Sequence, residues 1–306
     1  MGGTVYFGSW DHKVYALDAT TGHRRWTYTT GDAISSSPTV VGGIVYIGSS
    51  DDKVYALDAT TGHPRWTYTT GGKVNCSPTV ADGTVYIGSS DHKVYALNAT
   101  TGHPRWSYTT GSFIFTRPAV TDGTVYVGSW DHKVYALNAT TGHPRWTYTT
   151  GGPIFSNPTV ADGTVYIGSR DANVYALNAT TGHLRWTYTA KGPVPATPAV
   201  ADSTVYVDSK DGRVYALDAS TGHPRWAHNT RTSNASSSPV VAGSTVYVGS
   251  SDHKIYALDA STGHLRWAHT TGDGSLQRLV VADGTLYIGS TDHNLYAVTV
   301  GSGRGG

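Results

Sequence analysis

Along most of the chain, apolar and polar positions alternate with a period of two over five or six residues and then break at glycine, aspartate or proline. In the stretch that starts at Asp82, residues 84–89 (Thr-Val-Tyr-Ile-Gly-Ser) are β-branched and aromatic, Ser90-Asp91-His92 is a turn, and residues 93–97 alternate again. That pattern predicts two strands joined as a hairpin. Residues 98–104 form a polar turn around Gly102, and Arg105-Trp106-Ser107-Tyr108-Thr109-Thr110 predicts a third strand. After the loop 111–117, Pro118-Ala119-Val120-Thr121 predicts a short fourth strand with proline at its start, a position where the missing N–H is tolerated. Four short antiparallel strands with tight connections make one propeller blade.

The pattern returns about every forty residues, which predicts one domain over 1–300, with repeats 1–41, 42–81, 82–121, 122–161, 162–201, 202–242, 243–282 and a partial 283–300. Within a blade the proline-led strand is named inner, followed by second, third and outer. Inner strands are expected at Pro38, Pro78, Pro118, Pro158, Pro198, Pro239 and Leu279, and outer strands from the seven tryptophans Trp26, Trp66, Trp106, Trp146, Trp186, Trp226 and Trp267. Seven inner, eight second, eight third and seven outer strands total thirty, two short of eight complete blades. An eight-bladed ring is therefore expected with an incomplete seam at the N-terminus: blade one lacks its inner strand and blade eight its outer one. A seven-bladed ring is the alternative and would leave residues 1 to about 24 surplus. Unpaired edges at the seam predict self-association, and the tail 301–306 (Gly-Ser-Gly-Arg-Gly-Gly) is flexible by composition.

Composition narrows the picture. Glycine (37) and tyrosine (21) are abundant and glutamate is absent, a bias toward strands rather than helices, so the fold class is all-β. Net charge is +1 without a basic run, which gives no electrostatic footprint for nucleic acid. No apolar run is long enough for a membrane span, and the opening Met1-Gly2-Gly3-Thr4-Val5-Tyr6 has neither the charged leader nor the apolar core of a signal peptide. Cys76 is the only cysteine, which rules out an intrachain disulfide.

Each period carries Ala-x-Asp-x-x-Thr-Gly-x-x-x-Trp, first at Ala16 to Trp26, with Asn98, Asn138 and Asn178 in place of the aspartate in three copies. This pattern resembles the tryptophan-docking motif of the pyrroloquinoline-quinone-like β-propeller repeat family. The resemblance covers nearly the whole chain and fails only in the last period, at Val298-Thr299-Val300. It implies a structural role for the tryptophans and for Gly22, Gly62, Gly102, Gly142, Gly182, Gly222 and Gly263: each indole is sandwiched between its own blade's alanine and a neighbour's glycine turn. A WD-type propeller is the nearest rival, but its tryptophan directly precedes the aspartate, where this chain has Leu17. By fold alone the chain also resembles the propeller sensor regions of bacterial kinases and the propeller lipoprotein of outer-membrane assembly. The resemblance suggests a bacterial extracytoplasmic setting.

The family includes quinone-dependent alcohol dehydrogenases, whose calcium and quinone are held by a glutamate, an asparagine and a base-providing aspartate, beside adjacent cysteines. This chain has no glutamate and one cysteine, so the cofactor site does not carry over. No catalytic residue, metal site or cofactor is expected, and the dehydrogenase stands as a disfavoured alternative. The histidines His23, His63, His103, His143, His183, His223 and His264 occur once per blade in a rim turn, too far apart to share a metal at about 2 Å.

Function is sought instead where the repeats differ. The outer-to-inner loop and the second-to-third hairpin vary and lie on one face, because alternate connections of a meander share a face. Large side chains gather there: Trp10, Phe113, Phe115, Arg117, Trp130, Phe155, Asn157, Arg170, Lys210 and Arg278. Aromatics and arginine on loops are the material of binding hot spots, and neutral drift in loosely constrained loops would leave the same pattern. The expectation is a non-enzymatic binding, interaction or sensor scaffold for a protein or small-molecule partner. A recently amplified or engineered repeat scaffold without ligand is the further alternative.

Overall fold

The computed structural model describes residues 3–230, 237–272, 276–290 and 294–300, with the side chains of 276–278 left out. Among the described residues every regular element is a β-strand. The strands form eight antiparallel sheets, six of four strands and two of three, each in simple sequence order. The chain is an all-β, eight-bladed propeller. The seven-bladed alternative fails because Thr4–Gly8, Lys13–Asp18 and Arg24–Thr29 make a sheet of their own.

The chain divides into two compact units, Met1–Thr149 and Thr150–Gly306. In the first unit, blade one has second, third and outer strands only, while blades two to four are complete; blade three comprises Thr79–Ala81, Thr84–Gly88, Lys93–Asn98 and Pro104–Thr109. In the second unit, blades five to seven are complete, and blade eight has Leu276–Ala282, Thr285–Ser290 and Leu295–Thr299, with no outer strand among the described residues.

Two boundaries differ from the sequence expectation. The prolines lie just outside the inner strands, which begin at Thr39, Thr79 and Ala119, because a residue without an N–H cannot join the ladder. Leu279, with no proline, sits inside a strand extended back to Leu276. The outer strands begin two residues before each tryptophan, not at it. Trp106 pairs with Ala96 and Pro104 with Leu97, across a register shift between Ala96 and Leu97, so a bulge absorbs the extra residue.

Within each unit, cores form between successive blades. Val85, Ile87, Tyr95 and Leu97 of blade three pack with Tyr46, Val54 and Ala56 of blade two, alongside Val74 and Cys76. A blade covered on both faces buries both sets of alternating side chains, so Thr84–Gly88 is buried throughout. Thr4–Gly8 of blade one is half-buried throughout.

Candidate interaction surface

The constant elements set the frame. Trp26 pairs with Ala16 of its own blade, its Nε1 donates to Ala59 O of blade two at 2.9 Å, and a side chain begun at Gly62 would meet the indole at 2.7 Å. Trp66 with Ala99 and Gly102, Trp106 with Ala139 and Gly142, Trp186 with Ala219 and Gly222, and Trp226 with Ala260 and Gly263 repeat this geometry. Gly62 holds φ at +74°, where a β-carbon is strained as well as unhoused. Gly182 has the same backbone, φ +73°. Trp146 pairs with Ala136, and Trp267 packs into the core of blade eight beside Val300. Among the described residues, nothing lies within 4 Å of where a side chain would begin at Gly22.

The alanine carbonyl also takes a second donor. Tyr6 Oη donates to Ala59 O at 2.9 Å, and Tyr46 to Ala99 O at 3.0 Å. These tyrosines lie on second strands, and sequence reasoning missed them because a strand tyrosine has no spacing that reveals its hydrogen-bond partner.

In the rim turn, Asp58 Oδ1 accepts from Thr60 N and Thr61 N, and its Oδ2 from Arg65 at 2.7 Å. The Arg65 guanidinium, with those amides, holds the carboxyl well below the usual carboxylate range. The seven rim histidines are exposed.

On the variable face, the hairpin aspartates fasten the loops. Asp131 Oδ2 accepts from Gly111 N at 2.7 Å and from the hydroxyl of Tyr135, and Asp91 serves Gly71 and Tyr95 likewise. The phenol of Tyr175 is pushed up to about 12 by burial and by its bond to Asp171. These bonds give the varying side chains a fixed base.

In the first unit, three of the expected site residues come together. The rings of Phe113, Phe115 and Trp130 stand with centroids 5.6–5.8 Å apart, and His92 meets Phe113 edge-on at 5.0 Å. Trp130 N donates to Phe113 O at 3.0 Å, which locks the hairpin to the loop. Phe113 is exposed, and Phe115 and Trp130 are half-buried. Arg117, on the same loop, is exposed and donates from Nε to Thr79 Oγ1 at 3.1 Å. Trp10 sits on the hairpin of blade one, 70% exposed, and is not part of this ring contact.

In the second unit, the Arg170 guanidinium lies 4.4 Å from the centre of the Phe155 ring, a cation–π contact. Asn157 Nδ2 donates to Thr197 Oγ1 at 2.7 Å, and Lys210 N donates to Pro193 O at 2.8 Å. The side chain of Arg278 lies outside the described residues. Asp208, unmarked by sequence reasoning, is 3% exposed with one oxygen lacking any hydrogen-bond partner. Burial, then the charge of Asp211, pushes its carboxyl well above the usual range.

A calcium–quinone site does not fit these residues. The chain supplies no glutamate, its single cysteine is buried with Sγ at 3.1 Å from Gly88 O, and among the described residues no three His, Cys or Asp side chains are placed to share a metal ion. Among the described residues no helix is long and apolar enough to cross a membrane.

Two family profiles match the chain. One is described as the β-propeller of β-alanine-activating enzyme and matches residues 1–204; the other is described as outer membrane protein assembly factor BamB and matches residues 150–305. Comparison with curated proteins gives no match. Among solved structures, the chain is similar to BamB from Moraxella catarrhalis, with 23% identity and a TM-score of 0.88 over 97% of this chain and 94% of that one. It is similar to a computationally designed protein, with 19% identity and a TM-score of 0.87 over 98% and 94%. A europium-containing methanol dehydrogenase gives 16% identity and a TM-score of 0.79 over 94% and 80%. At these identities the likeness shows the fold alone.

Proposed function

Because this chain belongs to the pyrroloquinoline-quinone-like β-propeller repeat family, whose profiles match it along its length, we propose that it is a non-enzymatic interaction scaffold that engages a protein partner through its variable-loop face. The carrying observation is the cluster of Phe113, Phe115 and Trp130, rings held together at a loop surface on a hydrogen-bonded base. Packed aromatics that remain partly open to solvent offer apolar area at little further entropy cost, the property of interface anchors. Arg117 on the same loop adds a charged contact at the edge. The match to an outer membrane protein assembly factor supports a protein partner and a bacterial extracytoplasmic setting.

The test is affinity capture with the intact chain and with Trp130, Phe155 and Arg117 all replaced by alanine. A partner held by the parent and lost by the variant, at unchanged circular dichroism and melting, is the expected result; equal capture by both sinks the reading. The likeness to a methanol dehydrogenase favours one rival, a quinoprotein oxidoreductase. Calcium-dependent quinone binding with dye reduction would establish that rival in place of the scaffold.

A further inference from the structure

In the second unit, positive charge gathers on the variable-loop side of blades five and six. Arg170 and Lys210 occupy the hairpin position that holds Trp10, Ser50, Ser90, Trp130 and Ser251 in other blades. Lys191 replaces the loop glycine found at Gly31, Gly71, Gly111 and Gly151, and Arg213, at the head of its third strand, completes a set of four cations. Arg170 and Lys191 are exposed, and Lys210 and Arg213 are half-buried.

The backbone brings these residues together. The loop 191–197 runs between the two hairpins: Val194 N donates to Ser169 O at 3.0 Å, next to Arg170, and Lys210 N donates to Pro193 O at 2.8 Å. Lys191 N donates to Asp211 Oδ2 at 3.0 Å, and a β-carbon at Gly192 would lie 3.0 Å from Asp211 N. One short loop, bonded at both sides, therefore fixes the bases from which the cations project.

The carboxylates among them are turned to other work. Asp171 accepts from Gly151 N and from the Tyr175 hydroxyl, both at 2.6 Å, and from Asn173 N at 2.9 Å. Asp211 accepts from the Tyr215 hydroxyl at 2.6 Å and from Arg213 N at 3.0 Å as well as from Lys191 N. Asp208 is buried and presents no charge to the surface. Among the described residues none of the four cations forms an ion pair, whereas Lys13 and Lys254, at the position of Arg213, lie 3.9 Å from Asp11 and Asp252. The Arg170 guanidinium is steadied by the Phe155 ring, 4.4 Å away. A stacked guanidinium keeps its N–H groups at its edge, a fork that matches the two oxygens of a carboxylate.

We propose that Arg170, Lys191, Lys210 and Arg213 form a seat for an acidic, extended segment of a protein partner, with Arg170 clasping one carboxylate and Lys210 and Lys191 a second. The proposal rests on the reading of the variable-loop face as protein-binding and specifies the chemistry of what binds there. An extended chain presents alternate side chains on one face, so the segment carries its acids at alternate positions. A polypeptide fits better than a nucleic acid, because the cations are confined to two hairpins and one loop and the ring that could stack on a base, Phe155, already carries a guanidinium. An anionic lipid surface is engaged by basic residues together with exposed apolar side chains, and Val194 of this loop is buried.

The probe is a fluorescein-labelled peptide of alternating glutamate and serine, titrated with the full chain and followed by anisotropy. Saturable binding is expected, lost in 1 M salt and absent when glutamine replaces glutamate in the peptide. The double variant Arg170→Gln, Lys210→Gln should bind about tenfold more weakly. Lys53→Gln with Lys93→Gln, which removes the same charge from the first unit, should leave binding unchanged. If the first pair does not fold, hydrogen exchange of the parent must show peptide-dependent protection in 191–197 and 209–213. Absence of saturable binding, equal binding of the glutamine peptide, equal weakening by the two double variants, or protection confined to other segments would each overturn the proposal. So would tighter binding of an equally charged single-stranded DNA or of phosphatidylserine vesicles. Capture of a partner by the intact chain without peptide binding would strike this proposal alone. Peptide binding at these residues without any captured partner would uphold the acidic-segment seat and strike the scaffold reading of Phe113, Phe115 and Trp130.

Discussion

Asp208 stands where other blades carry Gly48, Gly88, Gly128, Gly168 and Gly249. A β-carbon at Gly48 would lie 2.5 Å from Val74, and at Gly88 2.3 Å from Ile114. In those blades the glycine N–H donates to a neighbouring side chain, Gly48 to Ser36 Oγ at 3.0 Å and Gly128 to Thr116 Oγ1 at 3.0 Å, whereas the residue corresponding to Ser36 and Thr116 in blade six is Ala196. The result is a carboxyl out of water with an unpartnered oxygen. Its raised pKa means that the folded state holds a proton the unfolded chain has already released. Stability from this group is therefore complete below the ordinary value of about 4 and declines as pH rises toward the folded value, by about 1.4 kcal/mol per pH unit inside that window. Asp208→Asn should remove this decline and raise the urea midpoint at pH 8 more than at pH 4; parallel pH profiles for parent and variant would refute it. The exchange of glycine for aspartate is visible in the aligned repeats, but its burial is not, because polar residues crowd the adjacent hairpin. The tryptophans were legible for the opposite reason: seven identical large residues at one spacing admit few readings.

At the level of strands and turns, hydrophobic alternation located the elements, and the errors fell where hydrogen bonding rather than burial sets an end. Proline was expected within the inner strands and lies before them, and the bulge at Ala96 and Leu97 has no apolar signature. The rim turn shows a similar limit. Asn98 preserves the two backbone bonds that Asp58 makes, to Thr100 N and Thr101 N, so the turn keeps its form. The guanidinium is redirected instead: Arg65 pairs with Asp58 at 2.7 Å, while Arg105 donates to Gly83 O at 3.3 Å. Asn98→Asp should restore the pair. Since such exposed pairs are weak and screened, the melting temperature should rise by at most about 2–4 °C in low salt. The gain should vanish in 1 M salt, and should decline as pH falls from the ordinary carboxylate value toward the lowered value of the paired carboxyl, where the folded state also takes up the proton. A salt-independent shift would assign the effect to something other than the ion pair.

For the whole chain, the count of blades and the two incomplete ones followed from tallying strands, because each repeat is one supersecondary unit and an omission leaves a countable remainder. What the tally leaves open is which side chains on the variable face meet. Phe113 and Phe115 were legible as large loop residues, but their contact with Trp130 depends on a hairpin in the next repeat being held against the loop, through Asp131 and Gly111. The incomplete first blade is where architecture and energetics meet. Among the described residues, Thr4–Gly8 has no inner partner strand and Gly22 no indole over it. By the spacing from Trp26 through the strand Thr39–Val41 to Gly62, one continuous segment carrying a tryptophan strand followed by an inner strand would supply both. Appending about twenty residues of that pattern ahead of Met1 should raise the melting temperature. Even a net gain of about 1 kcal/mol corresponds to about 2–4 °C in a domain of 150–250 residues. An unchanged transition would mean that the open edge of blade one costs the molecule little, and would remove the stability argument for the appended segment.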